Sequence, residues 1–401
     1  MTSWAEAATL FQAANPSFVA WTGDQQAAHA LWSTIQNDRM LLFYPTGKGK
    51  TKTSLGLMAD AGYKKVLVVA PPRTHHDWRR DAIVLGMEIT VISVERMRSK
   101  DFRFKRGVPI IVDEFHLLGR HGADGFKKLD RNATGFPAII LASATPEYND
   151  YDRAYCVAHV MDPVGNLGGF QKWVYTHCET RVNPFASTPY VDGFLAYDST
   201  AEWLVAQGYC AFIEDDAVWM EDEFDLPNYR DDWFETYGYD RFAHKMIASD
   251  MEKRHRRAYL DRVDPDTGML RNGVLYALVE ELDKSPKPWL LFCMHATIAE
   301  AVGRSLANTE WATFVITGQT ADSTVEKIKK VFIHWEEPKK LLVGTATLAT
   351  GMDGLDKACD QLLYFDPLVG DYAKKRQLIG RVLDRGASNR PARVVEARTK
   401  E

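Results

Sequence analysis

Short apolar runs recur along the chain at intervals that leave room for a helix between each pair. They fall at 40–43 (MLLF), 65–70 (KVLVVA), 89–94 (ITVISV), 108–112 (VPIIV) and 138–142 (AIILA). They return at 289–293 (WLLFC), 313–316 (TFVI), 340–343 (KLLV) and 361–365 (QLLYF). Runs this short, rich in β-branched residues, predict strands, and their continuous rather than alternating apolar character is that of parallel strands covered on both faces. Helical spacing lies ahead of them, as at Ala28, Leu31, Trp32 and Ile35, and between them, as over 298–306. The repeated strand–helix order predicts an α/β protein with two parallel sheets in tandem, one in 1–150 and one in 287–401. Over 151–286 the alternation is lost. That segment carries GGFQKWV at 168–174, an acidic stretch over 214–240 and helical spacing over 241–282, and is read as a mainly helical insertion.

Composition sets outer bounds on this picture. The 401 residues, 46% hydrophobic and 26% charged, suit a globular protein of two or three domains. No apolar run approaches bilayer length and no secretory leader is recognisable, so a cytoplasmic enzyme without a membrane partner is expected. Cys156, Cys178, Cys210, Cys293 and Cys359 form no C-x-x-C pair, which implies neither a zinc site nor a disulfide framework. The net charge of −5 conceals segregation: acids crowd 214–240, whereas 253–257 (KRHRR) and the stretch from Lys374 are basic.

The candidate chemistry starts at 43–51, FYPTGKGKT. A strand running into a glycine-bearing turn that opens a helix directs backbone N–H groups and the positive helix end at phosphate. Thr46, Gly47, Lys48, Gly49, Lys50, Thr51 and Lys52 are the candidate phosphate-binding residues, with Lys50 as the point charge; Tyr44 stands where the general pattern has its first glycine. The strand at 108–112 ends in Asp113-Glu114-Phe115-His116. Carboxylates at the C-terminal end of a parallel strand lie where α/β folds place ligand chemistry. Asp113, with the Thr51 hydroxyl, is predicted to hold Mg²⁺, and Glu114 to polarise an attacking water. The strand at 138–142 leads into Ser143-Ala144-Thr145.

This ordered series, followed by Gly351-Met352-Asp353 and by Gln377-x-x-Gly380-Arg381, resembles the motifs of superfamily 2 DExH-box helicases. It is nearest their Swi/Snf-like branch, whose phosphate loop also lacks the first glycine; Pro71 followed by Trp78 adds to that likeness. The resemblance spans about 26–395. It implies two RecA-like domains with ATP and Mg²⁺ between them, and Gln26 reading the adenine edge. Catalytic roles fall to Lys50, Asp113, Glu114, Gln377, Arg381 and Arg385, with further nucleotide contacts from Gly351 and Asp353. His116, Ser143 and Thr145 would couple the nucleotide to nucleic acid, whose phosphates would meet Arg73, Thr74, Ser93, Gly318, Gln319 and Thr345. Where the family carries a second arginine, three residues after Arg381, this chain has Asp384, and Arg385 is given that place through a one-residue insertion. Thr350 replaces the arginine common before the glycine of Gly351-Met352-Asp353.

The function so implied is an ATP-dependent DNA translocase or helicase of phage or bacterial type. It would act as a monomer, with contacts largely independent of sequence and a protein partner at the acidic central segment. Two alternatives stay open. Phosphate-directed contacts do not exclude a 2′-hydroxyl, which leaves an RNA helicase. Asp384 puts a carboxylate where positive charge is wanted, which leaves an ATP-gated nucleic-acid-binding adaptor with weak hydrolysis.

Overall fold

The computed structural model describes residues 2–399 apart from 17, 19, 36, 46, 145–150, 164–166, 183–188, 214–218, 228–261, 265, 350–351, 353, 367–371 and 384–390. The chain divides into two compact units, Met1–Asp215 and Asp216–Glu401.

The strands of the first unit are β1 (Arg39–Phe43), β2 (Lys65–Val69), β3 (Glu88–Ile92), β4 (Ile110–Asp113), β5 (Ile139–Ser143), an antiparallel pair β6 (Cys178–Arg181) and β7 (Tyr190–Phe194), and β8 (Cys210–Phe212). Six of them form a parallel sheet in the order β3-β2-β4-β5-β1-β8. Its two faces explain the continuous apolar runs. Leu41, Leu67, Val69, Ile110, Val112, Ile139 and Leu141 point into one core, and Met40, Leu42, Val66, Val68, Ile111, Ile140 and Ala142 into the other. Helices α1 (Trp4–Ala14), α2 (Gly23–Thr34), α3 (Lys50–Asp60) and α4 (His75–Val84) close the second core through Phe11, Trp32, Leu55 and Trp78.

The first core is closed by α5 (Val94–Arg98), α6 (Asp124–Asp130) and three helices from the segment read as an insertion, α7 (Tyr151–Met161), α8 (Phe170–His177) and α9 (Thr200–Ala206). Trp173 and Trp203 of that segment are deeply buried in it, and the Arg39 guanidinium donates to Val160 O at 2.6 Å. Its residues 151–212 therefore provide a layer and an edge strand of the first unit.

The second unit repeats the plan with β9 (Trp219–Leu226), β10 (Trp289–Phe292), β11 (Ala312–Ile316), β12 (Lys340–Gly344), β13 (Gln361–Tyr364) and β14 (Ala392–Thr399), parallel in the order β11-β12-β10-β13-β14-β9. Helices Asn272–Asp283 and Ala296–Leu306 cover one face, and Asp322–His334 and Tyr372–Ile379 belong to the other. Sequence reading missed β9 because it lies in the acidic stretch, and acids are depleted in strands. Opposite charge resolves the conflict. Asp222 pairs with Arg393 at 3.1 Å, Glu221 with Lys375 at 3.4 Å, and Glu223 with Arg398, while Phe224 and Leu226 enter the core. Carboxylates read as a surface for a protein partner are thus engaged, over 221–223, by cations of their own unit. Among the described residues no helix is long and apolar enough to cross a membrane.

Candidate nucleotide site

Because the strands of the first sheet run parallel, their C-terminal ends share one edge. That edge gathers the turn after β1 with Lys50, the turn after β2 with Arg73 and Thr74, Ser93 after β3, Asp113 and Glu114 at β4, and Ser143 at the end of β5. Tyr44, where a glycine was the general expectation, is a buried packing residue whose hydroxyl donates to Asp24 O at 3.1 Å and whose N–H donates to Ser143 O at 3.1 Å.

The loop turns on Gly47 and Gly49, at φ +83° and +79°, a left-handed region that disfavours side chains. At Gly49, the residue before α3, a Cβ would also lie 2.4 Å from Gln25 Nε2. Gln25, buried, is therefore the glutamine against the loop, and its Oε1 accepts from Thr22 N–H at 2.9 Å. Gln26 donates instead to Trp21 O at 3.2 Å. The signal for Gln25 was present in the sequence as the capping pattern Thr22-x-x-Gln25, which fixes that side chain at the start of α2. Lys50 Nζ donates to Tyr44 O at 3.0 Å and Pro45 O at 3.4 Å, folding over the loop it follows. The Lys52 ammonium is committed elsewhere, 2.7 Å from Asp81 and over the Phe11 ring.

Asp113 is buried at the end of β4, accepting from Trp78 Nε1 at 3.2 Å and from Glu114 N–H at 3.1 Å. Burial, then the charge of Glu114, push its carboxyl up to about 7, against the opposing pull of Lys50 and these hydrogen bonds. Glu114 itself has a left-handed backbone, φ +50° and ψ +52°, a strain of about 1 kcal/mol or more for a residue with a Cβ. Its Oε2 is buried without a hydrogen bond among the described residues, at ion-pair distance, 3.3 Å, from His116 Nδ1. The same nitrogen lies 3.2 Å from Ser143 Oγ. His116 thus stands between the acid pair and the end of β5, where Ser143 O accepts from the Tyr44 N–H ahead of the glycine turn.

The side chains read as nucleic-acid contacts are structured locally. Thr74 Oγ1 donates to Pro71 O at 2.9 Å, and Ser93 Oγ caps α5 by accepting from Arg96 N–H at 3.1 Å. In the second unit Gly318 is exposed, Gln319 N–H donates to Thr317 Oγ1 at 3.3 Å, and Thr345 N–H donates to Ile316 O at 3.3 Å, tying the ends of β11 and β12. Gln377 and Arg381 are both buried, one turn apart at the end of helix Tyr372–Ile379. At the end of β13, Asp366 is fully buried between Arg262, at 3.2 Å, and the Met294 N–H, at 2.7 Å, and burial pushes its carboxyl up to about 6. Thr46, Thr145, Gly351, Asp353, Arg385 and the basic run 253–257 lie outside the described residues.

A nucleotide and Mg²⁺ suit this edge: a glycine turn that admits no Cβ beside Gln25, a cation at the helix start, and a buried carboxylate oxygen left without a hydrogen bond. Among the described residues no cluster of three or more His, Cys, Asp or Glu could cage a metal. Mg²⁺ needs none, taking one or two protein ligands and filling its octahedron with phosphate oxygens and water.

Two six-stranded parallel sheets flanked by helices make this a tandem RecA-like fold. No family model and no curated protein matches the sequence. Among solved structures the chain is similar to S. cerevisiae Dbp5 bound to RNA and ADP BeF3, with 14% identity and a TM-score of 0.56 over 100% of this chain and 90% of that one. It is also aligned with the Sulfolobus solfataricus SWI2/SNF2 ATPase core in complex with dsDNA, with 12% identity and a TM-score of 0.42 over 95% of this chain and 88% of that one. The likeness to Dbp5 is one of fold.

Proposed function

We propose that the protein is a nucleic-acid-dependent ATPase, and specifically a DNA translocase or helicase. The observation that carries this reading is the meeting of Lys50, Asp113, Glu114, His116 and Ser143 on one edge of one sheet. Lys50 offers its charge to the β- and γ-phosphates, and the left-handed turns at Gly47 and Gly49 bend the loop into the start of α3. Mg²⁺, held by Asp113 and the Thr51 hydroxyl, would draw charge from the same phosphates. Glu114 orients the attacking water, and Gln25 rather than Gln26 is the amide nearest the loop. Gln377 and Arg381 keep the catalytic roles that the resemblance implies for them; an arginine on a transferred phosphoryl group contributes roughly 10³ to 10⁵ in rate.

His116 links Glu114 to Ser143 at the end of β5, on the sheet edge that also carries turns assigned to nucleic acid. Those turns offer backbone and short polar groups, which suit phosphate rather than bases, so binding should be insensitive to sequence and sensitive to salt. The test is an ATPase assay with duplex DNA, single-stranded DNA and RNA in turn. Stimulation by duplex DNA is expected, and Lys50→Ala and Glu114→Gln should each abolish it while leaving the circular dichroism unchanged. Wild-type turnover in either variant sinks the site assignment, and stimulation by RNA alone replaces the DNA reading with an RNA helicase.

A further inference from the structure

The opposite edge of the first sheet, one strand length or about 15 Å from the nucleotide edge, carries a second concavity. A pocket of about 320 Å³ is lined by Phe104, Lys105, Arg106, Arg131, Asn132 and Phe136, among others. Its walls are the segments that precede β4 and β5, clasped by a hydrogen bond from Gly107 N–H to Gly135 O at 3.1 Å. Arg39 holds the second wall from behind, donating to Ala133 O at 2.8 Å. Phe104 meets Phe102 and Phe136 edge to face, at 5.3 Å and 5.1 Å between centroids, which makes the apolar part of the lining rigid. The stem of Arg106 runs 3.7 Å from where a Cβ on Gly135 would stand.

The charge of this place is uncompensated. Lys105, Arg106 and Arg131 are exposed, and no ion pair is found for them among the described residues. The neighbouring carboxylates are taken: Asp130 by His159 at 2.8 Å and Asp101 by Arg96 at 2.6 Å. Beyond the pocket the basic character continues, since 96–106 holds Arg96, Arg98, Lys100, Arg103, Lys105 and Arg106 against Asp101 alone. Lys128, over the Phe102 ring at 5.4 Å, feels the crowding: burial first, then the charge of Arg103, hold its ammonium below the usual lysine range.

We propose that this pocket and the adjoining basic run bind the sugar–phosphate backbone of a nucleic acid, as a second contact apart from the turns on the nucleotide edge. The proposal rests on the reading of the protein as a nucleic-acid motor. A single small anion is satisfied by two or three donors, whereas a run of cations extending past the pocket matches a polyanion.

The experiment is fluorescence anisotropy of a labelled 40-base-pair duplex, titrated with the full chain over a series of salt concentrations. In Arg106→Glu/Arg131→Glu, affinity should fall roughly tenfold or more, and the logarithmic salt slope should become shallower by about 2. Lys327→Glu/Lys330→Glu, on the exposed side of helix Asp322–His334, makes the same change of net charge and should bind as wild type. Arg106→Gln/Arg131→Gln should shift both quantities the same way by less, and replaces the reversal if that variant loses its circular dichroism. Wild-type affinity and slope in the pocket variants, or an equal loss in the control, overturns the proposal. Because binding is read without turnover, failure of the motor reading shows separately, as an ATPase that no nucleic acid stimulates.

Discussion

Replacing Asp113 with asparagine should stabilise the protein at alkaline pH while destroying its proposed activity. Burial and the Glu114 charge raise the Asp113 carboxyl from 3.8 to about 7, a shift of about three units, and each unit corresponds to about 1.4 kcal/mol. The folded state therefore holds the proton more tightly than the unfolded state does. Stability from this group is fully present below about pH 4, declines as pH rises, and is lost above about pH 7, where the ionised carboxylate costs roughly 4 kcal/mol. Asparagine cannot ionise, so it removes that penalty. It has one oxygen to offer, however, and Asp113 accepts from two donors, Trp78 Nε1 and Glu114 N–H. One of these loses its acceptor, at about 1–3 kcal/mol. The variant should be about 1–3 kcal/mol more stable than wild type at pH 8.5 and less stable by a similar amount near pH 4. Urea unfolding with Mg²⁺ chelated, followed by circular dichroism across that range, measures the difference. A variant less stable than wild type at every pH, with no change of sign, refutes the reasoning.

Gly49→Ala places a Cβ 2.4 Å from Gln25 Nε2 at a φ of +79°, and should cost about 1–3 kcal/mol in thermal unfolding while weakening ATP binding in a filter assay. His116→Ala removes the bridge from Glu114 to Ser143; basal ATP turnover should persist while stimulation by DNA falls by roughly 5- to 100-fold, and full stimulation would dismiss the relay. Arg262→Met leaves the fully buried Asp366 without its cation and should cost about 3–5 kcal/mol at pH 8. Because a protonated Asp366 needs no counter-charge, that loss should shrink toward pH 5, as denaturation at the two pH values will show.

Strands β1 to β5 and β10 to β13 were legible because a parallel strand covered on two faces writes itself as an unbroken apolar run, and the glycine turn after β1 because glycine, lysine and threonine at a strand end are a local pattern. The edge strands β3 and β11 carry it too, whereas the opposite edges, β8 and β9, gave no such signal. β8 is three residues long and β9 is half acidic, and each exists only through the partner it pairs with. The segment 151–212 read as an insertion because a layer of helices around Trp173 and Trp203 has no strand–helix rhythm, although it closes the core of the first unit.

The sequence by itself determined which residues stand at strand ends, since local propensity and apolar period act over a few neighbours. Tertiary structure alone decided what those residues touch. Trp78 pins Asp113, thirty-five positions away; His116 reaches Ser143 across twenty-seven; and Gln25 stands against Gly49 across twenty-four. The basic pocket at the far edge joins segments that are scattered in sequence, around 104–107 and 131–136. Such contacts depend on how crossover helices return the chain to the sheet, and charge and burial acquire their consequences, as at Asp113, only after that return.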